Sequence, residues 1–280
     1  MYQFPIGVMV DSFKTDTKTA ILEAAKLGAQ GLQMYSTTGE NAPENLKGAK
    51  RRELLDFVKS NGLVFSAICG DLGMGFGDRE RNPGLIEKSK QIMDLAKELE
   101  TDIVTTHIGV VPADKNHDRY KIMQEACFAL ASYADSIGSH FAIETGPETA
   151  VVLKEFLDAL GSTGVAVNLD PANLLMVTGD DPVAAVHHLK KYIVHTHAKD
   201  GTRFGKNNPE EIYRVVKCEK IVKNYREMPL GQGSVPFPAY LAALEEIGYR
   251  GFLTIEREVG ADPAADIRTA ANYLRGIMGA

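Results

Sequence analysis

The chain alternates between two kinds of segment. Short runs of apolar, β-favouring residues are followed by longer stretches in which apolar residues recur every three or four positions. The runs that read as strands are FPIGVMV (4–10), GLQMYS (31–36), LVFSAIC (63–69), DIVTTHI (102–108), HFAIET (140–145), VAVNLD (165–170), YIVHTH (192–197) and GFLTIE (251–256). Between them, TKTAILEAAKLGA (17–29) and FPAYLAALEEIGY (237–249) carry the helical period, and each contains a glycine stop ahead of the next strand. Eight strands alternating with helices predict parallel βαβ units. A doubly wound open sheet has the same ingredients. Two features favour a closed barrel: no strand–turn–helix carries a GxGxxG or GxxxxGKS phosphate loop, and ionisable residues recur at C-terminal strand ends, where a barrel builds its site. The expected fold is therefore α/β, a (β/α)8 TIM barrel in a single domain spanning residues 1–280.

Two connections stand out. GDLGMGFGDRERNPG (70–84) is glycine-rich and reads as a mobile loop at the barrel mouth. The stretch from Ala198 to Pro236 is long enough that it should be functional or contain short elements of its own.

Composition narrows the function. The net charge of −6 argues against a nucleic-acid or anionic-membrane surface as the main partner, since both need a basic footprint. Cys69, Cys127 and Cys218 are too far apart and too few for a disulfide framework or a zinc finger; they read as buried packing residues in a reducing, cytoplasmic setting. The N-terminal MYQFPIGVMVDSF lacks the features of a signal peptide, and no run is long and apolar enough to span a membrane.

The strand ends carry the candidate chemistry. Glu144 closes strand five, Asp170 strand six, His197 strand seven and Glu256 strand eight. A buried carboxylate is costly unless paired or bound to a metal. Three of them converging at one rim would repel one another, and a divalent cation removes that repulsion. Three carboxylates and one imidazole suit Mn²⁺, Mg²⁺, Co²⁺ or Fe²⁺, with Mn²⁺ preferred and Zn²⁺ less natural.

The segments AIETG, NLDPAN, HTHAKDG and LGQGSVPFPAYLAALEEIGYRGFLTIERE resemble the sugar phosphate isomerase/epimerase family, the xylose isomerase-like TIM barrels. Ketose 3-epimerases, inosose dehydratases and endonuclease-IV-type AP endonucleases belong to the same wider group. The resemblance covers nearly the whole chain and is strongest from about residue 140 onward. It implies that Glu144, Asp170, His197 and Glu256 hold one divalent metal. It also implies that Glu144 and Glu256 act as acid and base on a sugar through a metal-stabilised enediolate. The HxKD pattern selects His197 over His195, and strand alternation is read in the same sense, with only one of the two facing the barrel axis and His195 turned outward.

Departures from the ketose-epimerase pattern bear on the substrate. A histidine expected three residues after the strand-six aspartate is Asn173. A second glutamate expected six residues past the strand-five ligand is Ala150, with Glu148 nearby. The expected arginine after the strand-seven histidine is present as Arg203. The endonuclease-type relatives need further histidines; His107 matches one, and the others are missing.

The expected substrate contacts are His107, Arg203, Lys199, Asn173 and Glu148, with Tyr35 and Asp71 at the mouth. Lys199 is open to a second reading, an ion pair with Asp200 or another rim acid. Arg257 should point away from Glu256 and form a salt bridge, and His187 and His188 should lie exposed on a helix.

The expected activity is a metal-dependent isomerase or epimerase of a sugar or sugar derivative. The alternatives are a dehydratase or lyase acting on a keto-sugar (an inosose or 3-keto-glycoside) by the same enolate chemistry, and a non-catalytic sugar-binding barrel. The partner is a small-molecule sugar, with neither nucleic acid nor membrane, and a homo-oligomer is compatible with the sequence.

Overall fold

A computed structural model describes residues 2–279 of the chain. Eight parallel strands close into a barrel: β1 (Ile6–Met9), β2 (Gly31–Tyr35), β3 (Val64–Cys69), β4 (Ile103–Thr106), β5 (His140–Glu144), β6 (Val165–Leu169), β7 (Ile193–Ala198) and β10 (Leu253–Ile255), in the order β1-β10-β7-β6-β5-β4-β3-β2. Seven fall inside the apolar runs of the sequence, and β7 extends one residue past its run, to Ala198. Each of these strands is buried on both faces, which is why the runs are nearly continuous rather than alternating.

The helices form the outer layer. They are α1 (Thr17–Lys26), α2 (Ala49–Ser60), α3 (Asn82–Glu98), α4 (Asp118–Ile137), α5 (Ala150–Leu160), α7 (Pro182–Leu189), α9 (Phe237–Glu246) and α10 (Pro263–Met278). Their starts are specified locally. The side chains of Asp16, Thr149, Asp181 and Asp262 accept from backbone N–H groups in the first turns of α1, α5, α7 and α10. One short helix, α6 (Pro171–Asn173), follows β6 directly and continues into a π-turn over Leu174–Thr178. Among the described residues no helix is long and apolar enough to cross a membrane.

The long connection after β7 does contain its own elements. β8 (Asp200–Arg203) pairs antiparallel with β9 (Tyr225–Met228), and the chain between them includes the one-turn helix α8 (Pro209–Ile212). Asp200 ties this ribbon down. Its carboxylate accepts from the backbone N–H groups of Gly201, Gly231, Gly233 and Val235. Gly233 permits that approach, because a Cβ there would sit 2.1 Å from Asp200 Oδ1. Lys199 therefore does not pair with Asp200.

His187 and His188 are exposed on α7. Cys69 and Cys127 are buried, but Cys218 is exposed, so the packing role read for all three cysteines fails at that position: Cys218 lies in the excursion between β8 and β9, away from any core.

Candidate active site

The floor of the site is unusual for a barrel. Bulky branched side chains ordinarily fill such an interior. Here Gln33 of β2, Thr105 of β4, Asn168 of β6, His195 of β7 and Thr254 of β10 all lie buried and are joined by hydrogen bonds. Gln33 Nε2 donates to Thr105 Oγ1 at 2.8 Å. Thr254 Oγ1 and His195 Nε2 are 2.8 Å apart, and His195 Nδ1 lies 2.9 Å from Asn168 Oδ1. Gly7 of β1 leaves room for Thr254; a Cβ there would stand 2.6 Å from its hydroxyl.

His195 thus faces the barrel interior together with His197, their ring centroids 5.8 Å apart. The expectation of one inward and one outward histidine is corrected: residues two apart on a strand share a face. His195 bonds to the polar floor rather than to the helix layer. Burial and the neighbouring His197 both push its ring below the ordinary histidine range, so it is neutral.

Above the floor, Glu144, Asp170, His197 and Glu256 converge, each offering a donor atom within 4.8 Å of the others. Asp170 is fixed first: its Oδ1 accepts from the Asn173 N–H at 2.7 Å, leaving Oδ2 to face His197 Nδ1 at 3.2 Å. Glu144 Oε1 accepts from Asn173 Nδ2 at 3.0 Å, and its Oε2 lies 3.3 Å from Asn168 Nδ2. His197 Nδ1 stands 3.6 Å from Glu144 Oε1 and 3.4 Å from Glu256 Oε2. Its other nitrogen, Nε2, lies 2.9 Å from Gln33 Oε1.

Gly146 makes this packing possible. It holds φ +135°, and a Cβ would come within 2.6 Å of Asn173 Cβ and 3.0 Å of the Tyr213 hydroxyl.

Lys199 is buried at the edge of the cluster. Its Nζ lies 2.8 Å from Glu256 Oε2 and 4.0 Å from Asp170 Oδ2, and it also pairs with Glu258. Of its two readings, the ion pair with rim acids is therefore the geometry present. His107, just past β4, approaches Glu144 Oε1 to 3.5 Å through Nε2, while its buried Nδ1 has no partner.

Charge follows from these contacts. For Glu256, burial opposes ionisation, but Lys199 and then His197 hold the carboxyl well below the ordinary range. For Glu144, burial is outweighed by His107 and His197, and the carboxyl ends below its usual value. His197 is pushed down by burial and up by Glu256 and Glu144, and the carboxylates win. His107 is likewise raised, by Glu144 and Asp71 against burial.

The donor set itself fits a divalent cation. Three buried carboxylates share a small volume with one imidazole, and the ammonium of Lys199 divides its charge with Glu258. An oxygen-rich set of this kind suits the harder divalent ions.

His107, which touches Glu144, also lines a cavity of about 370 Å³ whose wall includes none of the four cluster residues. Its wall includes Asp71, Met74, His107, Arg119, Met123 and Tyr213. Glycines of the 70–84 segment supply much of one side. Tyr213, from the turn after α8, lies against the His107 ring at a centroid distance of 5.3 Å and covers it.

Of His107, Arg203, Lys199, Asn173 and Glu148, only His107 lines the cavity; Lys199 and Asn173 stand at the cluster, and the other two sit elsewhere. Glu148 is buried behind His107, accepting from Val111 N–H at 3.1 Å, and is not among the cavity-lining residues. Arg203 lies against Gly179, whose added Cβ would meet its guanidinium, and does not line the cavity either. Arg257 turns away from the cluster as expected and pairs with Glu227 at 2.7 Å and Asp266 at 2.8 Å.

Gln33, Asn168 and Tyr213 were not singled out from the sequence. Gln33 and Asn168 carried a usable signal, an amide in the middle of a strand otherwise apolar on both faces. Tyr213 carried none, since it reaches the site from an irregular excursion.

The chain matches the family model of the xylose isomerase-like TIM barrel over residues 21–277. It belongs to that family. A search of curated proteins finds no match to the sequence. Among solved structures, this xylose isomerase-like barrel is similar to a xylose isomerase domain protein from Planctomyces limnophilus, with 24% identity, TM-score 0.79, and coverage of 99% of this chain and 96% of the other. It is also similar to the probable 3-DHS dehydratase AsbF from Bacillus anthracis, with 18% identity, TM-score 0.74, and coverage of 97% and 98%. A third is the 3-keto-D-glucoside 4-epimerase YcjR from E. coli, with 16% identity, TM-score 0.73, and coverage of 98% and 99%. At these identities the likeness is one of fold.

Proposed function

We propose that this xylose isomerase-like barrel is a divalent-cation-dependent enzyme that removes and returns a proton at a carbon beside a carbonyl in a sugar or sugar derivative, as an isomerase or epimerase. The observation that carries the proposal is the meeting of Glu144, Asp170, His197 and Glu256 at the C-terminal rim, with donor atoms within 4.8 Å of one another. The structural neighbours, which include an epimerase and a dehydratase, support a sugar-directed reading. The residues that would hold the cation are these four, and Mn²⁺ is the preferred ion for so oxygen-rich a set. When bound, the ion supplies Lewis-acid stabilisation of the negative charge that develops on substrate oxygen as the proton leaves.

The protein's own groups do the rest. Glu144 and Glu256 come from strands separated by β6 and β7, so they approach a bound sugar from different sides. Both carboxyls lie below their ordinary range, so either is ionised and competent as a base. One takes the proton; the other, once it has picked up a proton from water, delivers it to the opposite face of the enediolate and returns to the carboxylate, while the first gives its proton back to water. Asn173 holds Glu144 and Lys199 holds Glu256, so neither carboxylate swings away as it works. His107 and Tyr213 close the site toward the cavity, where the remainder of the substrate fits.

A second reading, β-elimination from the same enolate, is favoured by one specific feature. His107 sits between Glu144 and the cavity, where a protonated imidazole can give its proton to a departing hydroxyl or aglycone. Product mass separates the two. Incubation of the Mn²⁺-loaded protein in deuterium oxide with a panel of ketoses, inososes and 3-keto-glycosides should give deuterium at carbon, with mass otherwise unchanged for epimerisation and with loss of water or aglycone for elimination. Absence of both exchange and product across the panel would reject the catalytic reading in favour of a sugar-binding barrel.

A further inference from the structure

Strand β2 reads GLQMY, and its central Gln33 is wholly buried inside the barrel. A glutamine at such a position must have partners at both ends of its amide or it destabilises the core. It has both. Nε2 donates to Thr105 Oγ1 at 2.8 Å, and Oε1 faces His197 Nε2 at 2.9 Å. The amide stands with Nε2 on the Thr105 hydroxyl and Oε1 on His197.

An amide oxygen has no hydrogen to give, so the 2.9 Å contact with Gln33 requires the hydrogen to reside on Nε2; Asn168 Nδ2 stands farther from Nε2, at 3.2 Å, and has Glu144 Oε2 to donate to. With that hydrogen on Nε2, Nδ1 is the nitrogen left to meet an ion once it has given up its own proton. Nδ1 is the atom turned toward Asp170 Oδ2, Glu256 Oε2 and Glu144 Oε1, at 3.2, 3.4 and 3.6 Å. Gln33 is the one group of β2 that reaches the ligand cluster, from a strand separated from β7 by β1 and β10.

We infer that Gln33 is a positioning residue for the cation site: it fixes the orientation and tautomer of His197 so that Nδ1 presents its lone pair to the ion. The inference rests on reading the four-residue cluster as a cation site. A neutral acceptor does this without adding a fourth negative charge beside the three carboxylates. Partners of metal-bound histidines commonly contribute about 10–100-fold to metal affinity.

The test is a titration of ion-free protein with Mn²⁺, following free Mn²⁺ by electron paramagnetic resonance, together with the visible absorption of the Co²⁺ form. Gln33→Met keeps the length and removes both hydrogen bonds. It should weaken Mn²⁺ binding by about 10–100-fold and shift the Co²⁺ bands. Gln33→Glu keeps an acceptor facing Nε2 and should bind at least as tightly as the wild type. Should Gln33→Met not fold, Thr105→Val releases the far end of the Gln33 amide and should weaken Mn²⁺ binding in the same direction. Lower ion-free stability with unchanged Mn²⁺ affinity and unchanged Co²⁺ bands in these variants would overturn the inference and leave the cation site standing. Failure of the wild type to bind either ion would overturn the cation site and the inference with it.

Discussion

Glu148 offers a quantitative test of the packing behind the site. Its carboxyl is buried, one oxygen accepting from Val111 N–H and the other, also buried, without a partner among the described residues. Among the described residues no cation pairs with it, and burial pushes it from 4.5 up to about 8. Between those values the unfolded chain has lost the proton while the folded chain keeps it. The unfolded state then binds fewer protons, so stability falls as pH rises, being fully present below about 4.5 and lost above about 8. At about 1.36 kcal/mol per unit of pKa shift, the whole window corresponds to about 4–5 kcal/mol. Glu148→Gln preserves an acceptor for Val111 and cannot titrate. Urea unfolding of ion-free protein at intervals from pH 5 to 8 should show the variant gaining steadily on the wild type, by about 4 kcal/mol at the top of the range. A stability difference that stays flat across that range would refute the argument that Glu148 is buried without a counter-charge.

Other consequences follow from the same geometry. Lys199→Met removes the ammonium from Glu256 and should destabilise the ion-free protein by about 3–5 kcal/mol in urea, as loss of one partner of a buried ion pair does; an unchanged urea midpoint would contradict the pairing. Glu144→Gln and Glu256→Gln should each abolish turnover and solvent deuterium exchange after ion depletion and reloading, and wild-type rates in either would sink the two-carboxylate reading. Arg257→Met breaks the pairs to Glu227 and Asp266 and should cost about 3–5 kcal/mol of stability while leaving Mn²⁺ affinity unchanged, because its side chain turns away from the cluster.

Much of this was readable in the sequence. The eight barrel strands show because strands covered on both faces are unbroken apolar runs, and the four cluster residues show because each is the ionisable group that ends such a run. The same two-sided burial hides the interior. Where both faces are apolar, the pattern does not say which one a given side chain joins, so the mid-strand amides of Gln33 and Asn168 mark polar positions without showing that they meet Thr254 in one polar floor. His195 was misassigned for a simpler reason: two residues along a strand restore the same face, and both histidines of HTH point inward. The contributions of Tyr213 and of the ribbon held by Asp200 arise from chain folded over the mouth by side-chain-to-backbone bonds, which leave no periodicity to read. Lys199 was placed at the rim by the HxKD motif, but its choice of Glu256 and Glu258 over Asp200 was decided by the four backbone N–H groups that Asp200 already accepts.

The proposed chemistry requires that Glu144, Asp170, His197 and Glu256 together hold a single divalent cation. Calorimetric titration of ion-free protein with Mn²⁺, set beside the double variant Asp170→Asn/His197→Ala, tests it most directly. One equivalent bound by the wild type, with binding lost in a double variant that still folds, is the predicted result. No binding by the wild type, or the same affinity and stoichiometry in both proteins, would contradict it.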